Sequence, residues 1–322
     1  PGVMRVHLRG SAASLGQEVP PAGVSALAGV NADFKLTSAA SDAQRRKAAA
    51  DWMTNPANPL FSRVIVNRIW HHHFGQGLVK KPSDFGAGGG RPSPPELLDW
   101  LADCFQQNNY SLKSLHRLIV TSMTYRQSSA SRPDALGRDR DNRLLWRFAP
   151  KRLEGEAVRD SLLQAAGMLN TQQSGPSYED VKEIHFNAGR YYHLIEVKGP
   201  KFDRRTIYRF SPRGERDAIL DTFDCPDPSA TAPTRAVTTT PLQALSLSNN
   251  VFVWRMADGL ANRVRKEAGE ALFGQVRRAW QLSLGRDPDE TERSQATAMI
   301  AKHGLPSLCR ALFNSSEFVV IE

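Results

Sequence analysis

The stretch NPLFSRVIVNRIWHHHFGQGLVKKPSDFG, Asn58 to Gly86, holds the densest apolar run of the chain and decides the fold class. Asn58 is a helix-capping residue type, and Pro59 then takes the first helical position, where its missing N–H costs nothing. The spacing predicts a helix through Phe74, with Gly75 as a left-handed stop. Successive helical residues lie about 100° apart around the axis. Leu60, Val64 and Phe74 therefore share one face, Phe61, Ile65 and Ile69 a second, and Val66 and Trp70 a third. A helix apolar on nearly every side is expected to be buried, so other helices should surround it.

The polar residues of that helix become informative as a result. Asn67 and His71, four apart, fall on the Leu60/Val64 face, and Arg68 lies beside it. Buried polar groups need partners, and a buried Arg needs an anion. The run His71, His72, His73 invites a metal centre, but three consecutive helical side chains cannot converge on one ion. The H-E-x-x-H spacing is absent as well. No metal is assigned, and histidines at a C-terminal helix end are accounted for by the helix dipole.

A chain of 322 residues has room for one large domain or two ordinary ones. Hydrophobic content of 40% and charged content of 23% place it among globular proteins. No apolar run reaches the length of a membrane span. The opening residues PGVMRVHL alternate like a strand, unlike a secretion signal, and read as a cut from a longer protein. The net charge of +9 comes more from arginine than from lysine. Arginine suits bidentate pairing with carboxylate, phosphate or sulfate. The basic residues are scattered and carry no nucleic-acid motif, so only charge speaks for that partner. Cys104, Cys225 and Cys309 match no zinc, C-x-x-C or C-x-x-C-H spacing, so no haem c is expected in this segment itself.

Read in order, residues 1–40 form an extended arm. Capping signals open helices at Ser41-Asp42-Ala43-Gln44, at Ser93-Pro94-Pro95-Glu96, at Ser111, at Thr240-Pro241-Leu242-Gln243 and at Asp289. Leu97, Leu98, Leu101, Cys104 and Phe105 make a helical stripe. Arg132 to Asn142 reads as a loop. The glycine-rich loop after Asp84 lacks the order of a phosphate-binding P-loop. Only residues 178–212 turn to a β pattern, with strands predicted at Tyr191–Val197 and Arg205–Phe210. The expected fold is mainly α: a multi-helix domain over residues 41–322, with a small antiparallel β excursion at about 178–212 and an extended N-terminal arm.

Several stretches carry a resemblance to a known family. They are the Asn58–Gly86 segment, PPELLDWLADCF, SLKSLHRLIVTSMTYRQSS, DNRLLWRFAPKRLEGEAVRDSLL, RTIYRF, DTFDCPDPS, RAVTTTPLQALSLSNN and LSLGRDPDETE. In order and content they resemble the planctomycete cytochrome-c-associated domain catalogued as domain-of-unknown-function family fifteen-fifty-three. The resemblance implies the C-terminal module of a larger exported protein, periplasmic or in the cell envelope. It implies upstream domains of the same polypeptide as partners, one of them able to carry haem c, and a link to polysaccharide metabolism. It brings no catalytic residues with it.

Three functions compete. The first is a non-catalytic binding or docking module. The second is an enzyme on an anionic, sulfated or uronic carbohydrate, with His71, Asp84 and Asp224 as candidate catalytic groups, since paired carboxylates suit acid–base work. The third, nucleic-acid binding, rests on charge. Candidate ligand-binding residues are Asn67, Arg68, His71, Asp84, Asp221, Asp224, Asp227, Arg235 and Gln243. The expectation is that Asp84 returns over the end of the central helix, and that the turn-rich segments Asp221–Asp227 and Arg235–Gln243 converge there. The competing account is a buried Arg68–Asp84 ion pair that only fixes the loop, with the aspartates forming a stiff surface turn.

Overall fold

The computed structural model describes residues 2–187 and 189–321. Residues 41–322, read from sequence as one domain, contribute to two compact units, Pro1–Ala149 and Pro150–Glu322. The architecture is mainly α with small two-stranded antiparallel sheets, as the sequence pattern predicts.

In the first unit the arm contains strands β1 (Arg5–His7) and β2 (Leu15–Glu18), paired antiparallel and bridged by Arg5 and Glu18 at 2.9 Å. Helix α1 (Asp42–Met53) starts at the expected box, with Ser41 and Gln44 capping each other. Its Trp52 receives the arm. The ring meets Phe34 and leaves no room for a side chain at Gly23, where a Cβ would come within 2.5 Å of the indole.

Helix α2 (Pro59–Phe74) has the predicted limits: Asn58 Oδ1 accepts the Leu60 N–H at 3.0 Å, and Gly75 stops the helix at φ 78°. Its burial is narrower than the all-round apolar pattern suggests. Val66, Asn67, Trp70 and Phe74 are buried, Ile65 and Ile69 are half-buried, and Arg68 and His72 are exposed. The reason is that α3 (Pro95–Gln107) and α4 (Leu112–Val120) supply its core partners: Leu98, Leu101, Phe105, Leu115 and Ile119 close a core with Val66, Trp70 and Phe74. Helix α3 begins one residue later than the Ser93 box implies. Ser93 donates its N–H to Leu78 O at 3.1 Å and so belongs to the preceding loop. The predicted loop at 132–142 holds a short helix, α5 (Pro133–Arg138).

The second unit opens with β3 (Lys151–Arg152), which pairs antiparallel with β6 (Val320–Ile321) at its other end. Between them run α6 (Gly155–Ala165), α7 (Ala218–Thr222), α8 (Pro241–Asn249), α9 (Val251–Ala268), α10 (Leu272–Leu284), α11 (Glu290–His303) and α12 (Leu305–Phe313). Helix α2 is not the most enclosed element: five of its sixteen residues are buried, against six of eleven in α6 and five of nine in α12. Val253, Met256, Leu260, Ala261 and Val264 are wholly excluded from solvent, packed in a core that α6, α10 and α12 also line.

The β excursion is real, but its pairing differs from the expected one. Strand β4 (Val181–Phe186) pairs with β5 (Gly189–Leu194) in a hairpin that turns at Asn187, φ 44°. Arg205–Phe210 is not a strand; Thr206–Tyr208 forms a short 3-10 turn. The Thr206 N–H and hydroxyl both donate to Asp160 Oδ1 at 2.7 Å, which draws that segment onto α6 and away from a ladder.

Arginines stitch this region together. Arg159, buried on α6, donates to the carbonyls of Arg204 and Phe202 at 3.0 and 2.9 Å. Arg204 donates to the carbonyls of Pro176, Gln172 and Ser174. Asp203 pairs with both terminal nitrogens of Arg255 at 2.7 and 3.0 Å. Further along, Arg286 grips Glu292 and Glu317 with contacts of 2.6 Å, beside the capping box that Asp289, the predicted cap, forms with Glu292.

Two outcomes follow from these contacts. Leu260→Ala should destabilise the protein by about 2–5 kcal/mol, the usual range for emptying an aliphatic core site, read by urea denaturation. Hydrogen bonds from Arg286 hold the Glu292 carboxyl down at about 2 despite the opposing effect of burial. A carboxyl depressed on folding stabilises fully above its unfolded value, about 4.3, and loses that contribution as pH falls through the folded value. Thermal melts should therefore drop in this acid window, and Glu292→Gln should flatten that part of the profile.

Candidate functional site

The candidates divide between the two units: Asn67, Arg68, His71 and Asp84 in the first, Asp221, Asp224, Asp227, Arg235 and Gln243 in the second. Each group is described within its own unit.

In the first unit, Asn67 is fully buried and serves as a backbone clamp. Its Oδ1 accepts the Val79 N–H at 2.8 Å and its Nδ2 donates to Val79 O at 3.0 Å. The chain must pass so close that a Cβ on Gly77 would lie 2.8 Å from the Asn67 amide. This satisfies both functions of the amide and closes the turn after α2. Asp84 organises its own loop: Oδ1 accepts the Gly86 N–H at 2.9 Å, and a Cβ on Gly88 would strike Oδ2 at 2.9 Å. The buried Arg68–Asp84 ion pair is not formed. Arg68 is exposed, and no ion pair joins it to Asp84. The three histidines fan out as helix geometry requires. His71 and His72 rings sit 5.7 Å apart at 68°, while His73 Nε2 lies 2.8 Å from His116 Nδ1.

In the second unit the aspartates separate into two roles. Asp221 and Asp227 are exposed and share one cation, Arg216, at 2.7 and 2.9 Å. Asp224 turns inward. It holds a left-handed backbone conformation at φ 61°, uncommon for a residue other than glycine. Both of its oxygens are held by Thr238, which donates its N–H at 2.8 Å and its hydroxyl at 2.9 Å. Gln243, buried at the start of α8, fixes Thr238 in turn. It donates to Thr238 Oγ1 and to Thr222 O, and accepts the Thr240 N–H.

Arg235 reaches α6, where Nη1 donates to Glu156 at 2.6 Å and lies 3.2 Å from Glu154. Burial alone would raise the Glu156 carboxyl. The hydrogen bond from Arg235, helped by its backbone, leaves it below the ordinary range. Cys225 also faces Glu156, at 3.5 Å, and burial followed by that carboxylate pushes its thiol up to about 11, away from nucleophilic use.

Asp224 and Arg235 thus border one half-open recess, completed by Arg152, Leu153, Glu154, Phe223, Ala236 and Val237. Its floor is Arg152, which sequence reasoning did not single out. A two-residue strand shows no periodicity, and its only signal is the KRLEGE cluster just before α6. The Arg152 side chain is 9% exposed, and its carbon lies 5.0 Å from the centre of the Phe223 ring. Phe223 is placed by a close approach at Gly155, where a Cβ would meet the Phe223 Cβ at 3.2 Å. Asp224 Oδ2 stands 3.7 Å from Arg152 Nη1, an ion pair but not a hydrogen bond. Neither Nη1 nor Nη2 of Arg152 has a hydrogen-bond acceptor among the described residues.

Fold and recess together define a mainly α domain with an arginine-floored recess in its second unit. The family model described as PSD1, a protein of unknown function (DUF1553), matches residues 45–300, and the chain belongs to that family. No curated protein and no solved structure matches it. Among the described residues no helix is long and apolar enough to cross a membrane.

Asn67→Ala should destabilise the protein without touching the recess. It leaves the Val79 N–H and C=O buried and unpaired, at about 1–3 kcal/mol for each such group. Denaturant unfolding, compared with the half-buried control Ile69→Val, measures the loss.

Proposed function

We propose that this chain is a non-catalytic binding module that takes hold of an acidic glycan at the Arg152 recess. The observation that carries this reading is the buried Arg152 guanidinium, whose two terminal nitrogens lack acceptors. Its ion pair with Asp224 at 3.7 Å supplies charge but no hydrogen bond, and buried donors left without acceptors are costly, a cost that an incoming anion would remove. Binding is favoured over turnover because the nearby carboxylates are already engaged. Glu156 and Glu154 meet Arg235, and Asp224 meets Thr238. A general acid needs a raised carboxyl, whereas that of Glu156 is lowered. The resemblance to cytochrome-c-associated domains supports the wider setting: an exported, multidomain protein of the periplasm or envelope, with haem c in an upstream part and a role in polysaccharide metabolism.

The test is affinity electrophoresis of the whole chain through gels containing a polyuronate, a sulfated galactan or neutral dextran, with reducing ends assayed in parallel. The acidic polymers should retard the protein, dextran should not, and no reducing ends should appear. Arg152→Lys keeps the charge but loses the two-pronged donor, so it should abolish the specific part of the retardation. Release of reducing ends, or equal retardation of Arg152→Lys, would overturn the reading.

A further inference from the structure

Helix α4 of the first unit breaks two local rules. It carries no acidic residue, and none occurs anywhere between Asp103 and Asp134. Lys113 sits in the first turn, where the positive end of the helix dipole repels a cation. Arg117 lies four residues on, so two like charges are neighbours on one face, an arrangement that weakens a helix. The fold does not compensate. Both side chains are exposed, on the side of α4 away from Leu115 and Ile119, and among the described residues neither makes an ion pair or a side-chain hydrogen bond. Other cations of this unit are used internally: Arg5, Arg46 and Arg63 meet carboxylates, and Arg45, Arg132 and Arg143 reach backbone carbonyls. A local conflict left open by the fold points to a partner outside it.

An anion would resolve the conflict, and the surroundings select its kind. Next to Lys113 and Arg117 runs the stripe of Ser114 and Leu118, one helical step round the axis. Leu118 is 38% exposed, and Met123, just past the helix, is 82% exposed. Arg126 follows, exposed and without an ion pair among the described residues. The turn that carries Met123 and Arg126 is fixed against α2, because the Tyr125 ring meets those of His73 and Phe74 at 5.5 and 5.8 Å. The surface therefore combines cations with apolar groups on a held backbone. A polysaccharide or nucleic acid would answer the charges but bring little apolar surface to Leu118 and Met123, and α4 offers no Phe, Tyr or Trp for a sugar or base to stack on. Arginine and methionine are both enriched where proteins meet. We propose that the outer face of α4 docks an acidic segment of a protein partner, whose carboxylates meet Lys113 and Arg117 and whose apolar side chain covers Leu118 and Met123. This surface shares no residue with the Arg152 recess of the second unit and does not rest on the binding reading given to it.

The whole chain is titrated, by fluorescence anisotropy, into a labelled peptide of Glu-Leu-Glu repeats, with polyglutamate, a sulfated polysaccharide and a DNA duplex as comparisons. The Glu/Leu peptide should bind saturably, at least about tenfold tighter than polyglutamate, and more weakly as salt is raised. Lys113→Glu is the discriminating variant. It places an acid at the positive end of the helix and an attractive partner beside Arg117, so its melting temperature should equal or exceed that of the parent. Its peptide binding should fall at least about tenfold. A lysine that only held the fold would show the opposite, a loss of stability. Met123→Ser should weaken the peptide and leave polyglutamate unchanged. Arg152→Lys should bind the peptide like the parent, which separates this surface from the recess whatever glycans do there. The proposal is overturned by no saturable peptide binding, by equal binding of polyglutamate, or by undiminished binding or a lowered melting temperature in Lys113→Glu. Tighter binding of the sulfated polymer or the duplex, lost in Lys113→Glu, overturns the protein partner as well.

Discussion

The second unit depends on guanidinium groups acting as backbone clamps. Arg159 sits inside α6 and holds carbonyls of Phe202 and Arg204. Arg204 reaches the other way, to the carbonyls of Gln172, Ser174 and Pro176, while its guanidinium stacks 4.0 Å from the centre of the Tyr208 ring. A segment with little regular secondary structure is fixed in this way to a rigid helix. A buried loop must place its carbonyls somewhere, and arginine, with five donors on one plane, satisfies several at once. Asp203 balances charge through Arg255 of α9, so the same loop is tied to a second helix of the unit.

The recess is a by-product of this frame. The glycine at the start of α6 lets α7 approach, which sets Phe223 against Arg152. The left-handed turn at Asp224 then sends its carboxylate to Thr238 and not onto the arginine. The carboxylate stays 3.7 Å from the guanidinium, close enough for an ion pair and too far for a hydrogen bond. A strained residue beside an unsatisfied donor is the sort of local conflict that folds tolerate where a ligand resolves it.

Helices were legible in the sequence because their signals are local. Ser41 with Gln44, Asn58 with Pro59, Gly75 and Asp289 each act within one turn, and each is found as expected. The β pairing was not, since Arg205–Phe210 has strand-like residues but its Thr206 is claimed by Asp160, far away in sequence. Burial of α2 was overestimated for a related reason: periodicity tells which faces are apolar, not how many neighbours arrive to cover them. Among the candidate residues, turn chemistry flagged Asp224, Arg235 and Gln243, and these do surround one recess or its wall. Arg152 escaped notice because nothing near it in sequence explains it. Part of the arginine excess is used inside the fold, on backbone carbonyls and on carboxylates.

The pairing of β3 with β6 has a consequence for the order of assembly. Lys151 and Arg152 lie at the beginning of the second unit, but the strand that holds them is Val320–Ile321, at its far end. On a ribosome the arginine emerges early and its backbone partner emerges after every helix of the unit. Contacts of such large sequence separation form late, once loop closure has been offset by the packing of everything between. The nascent unit therefore carries a charged, unanchored arginine through most of its synthesis. The strand that carries Arg152 is therefore fixed late, after the helices between its two halves have packed.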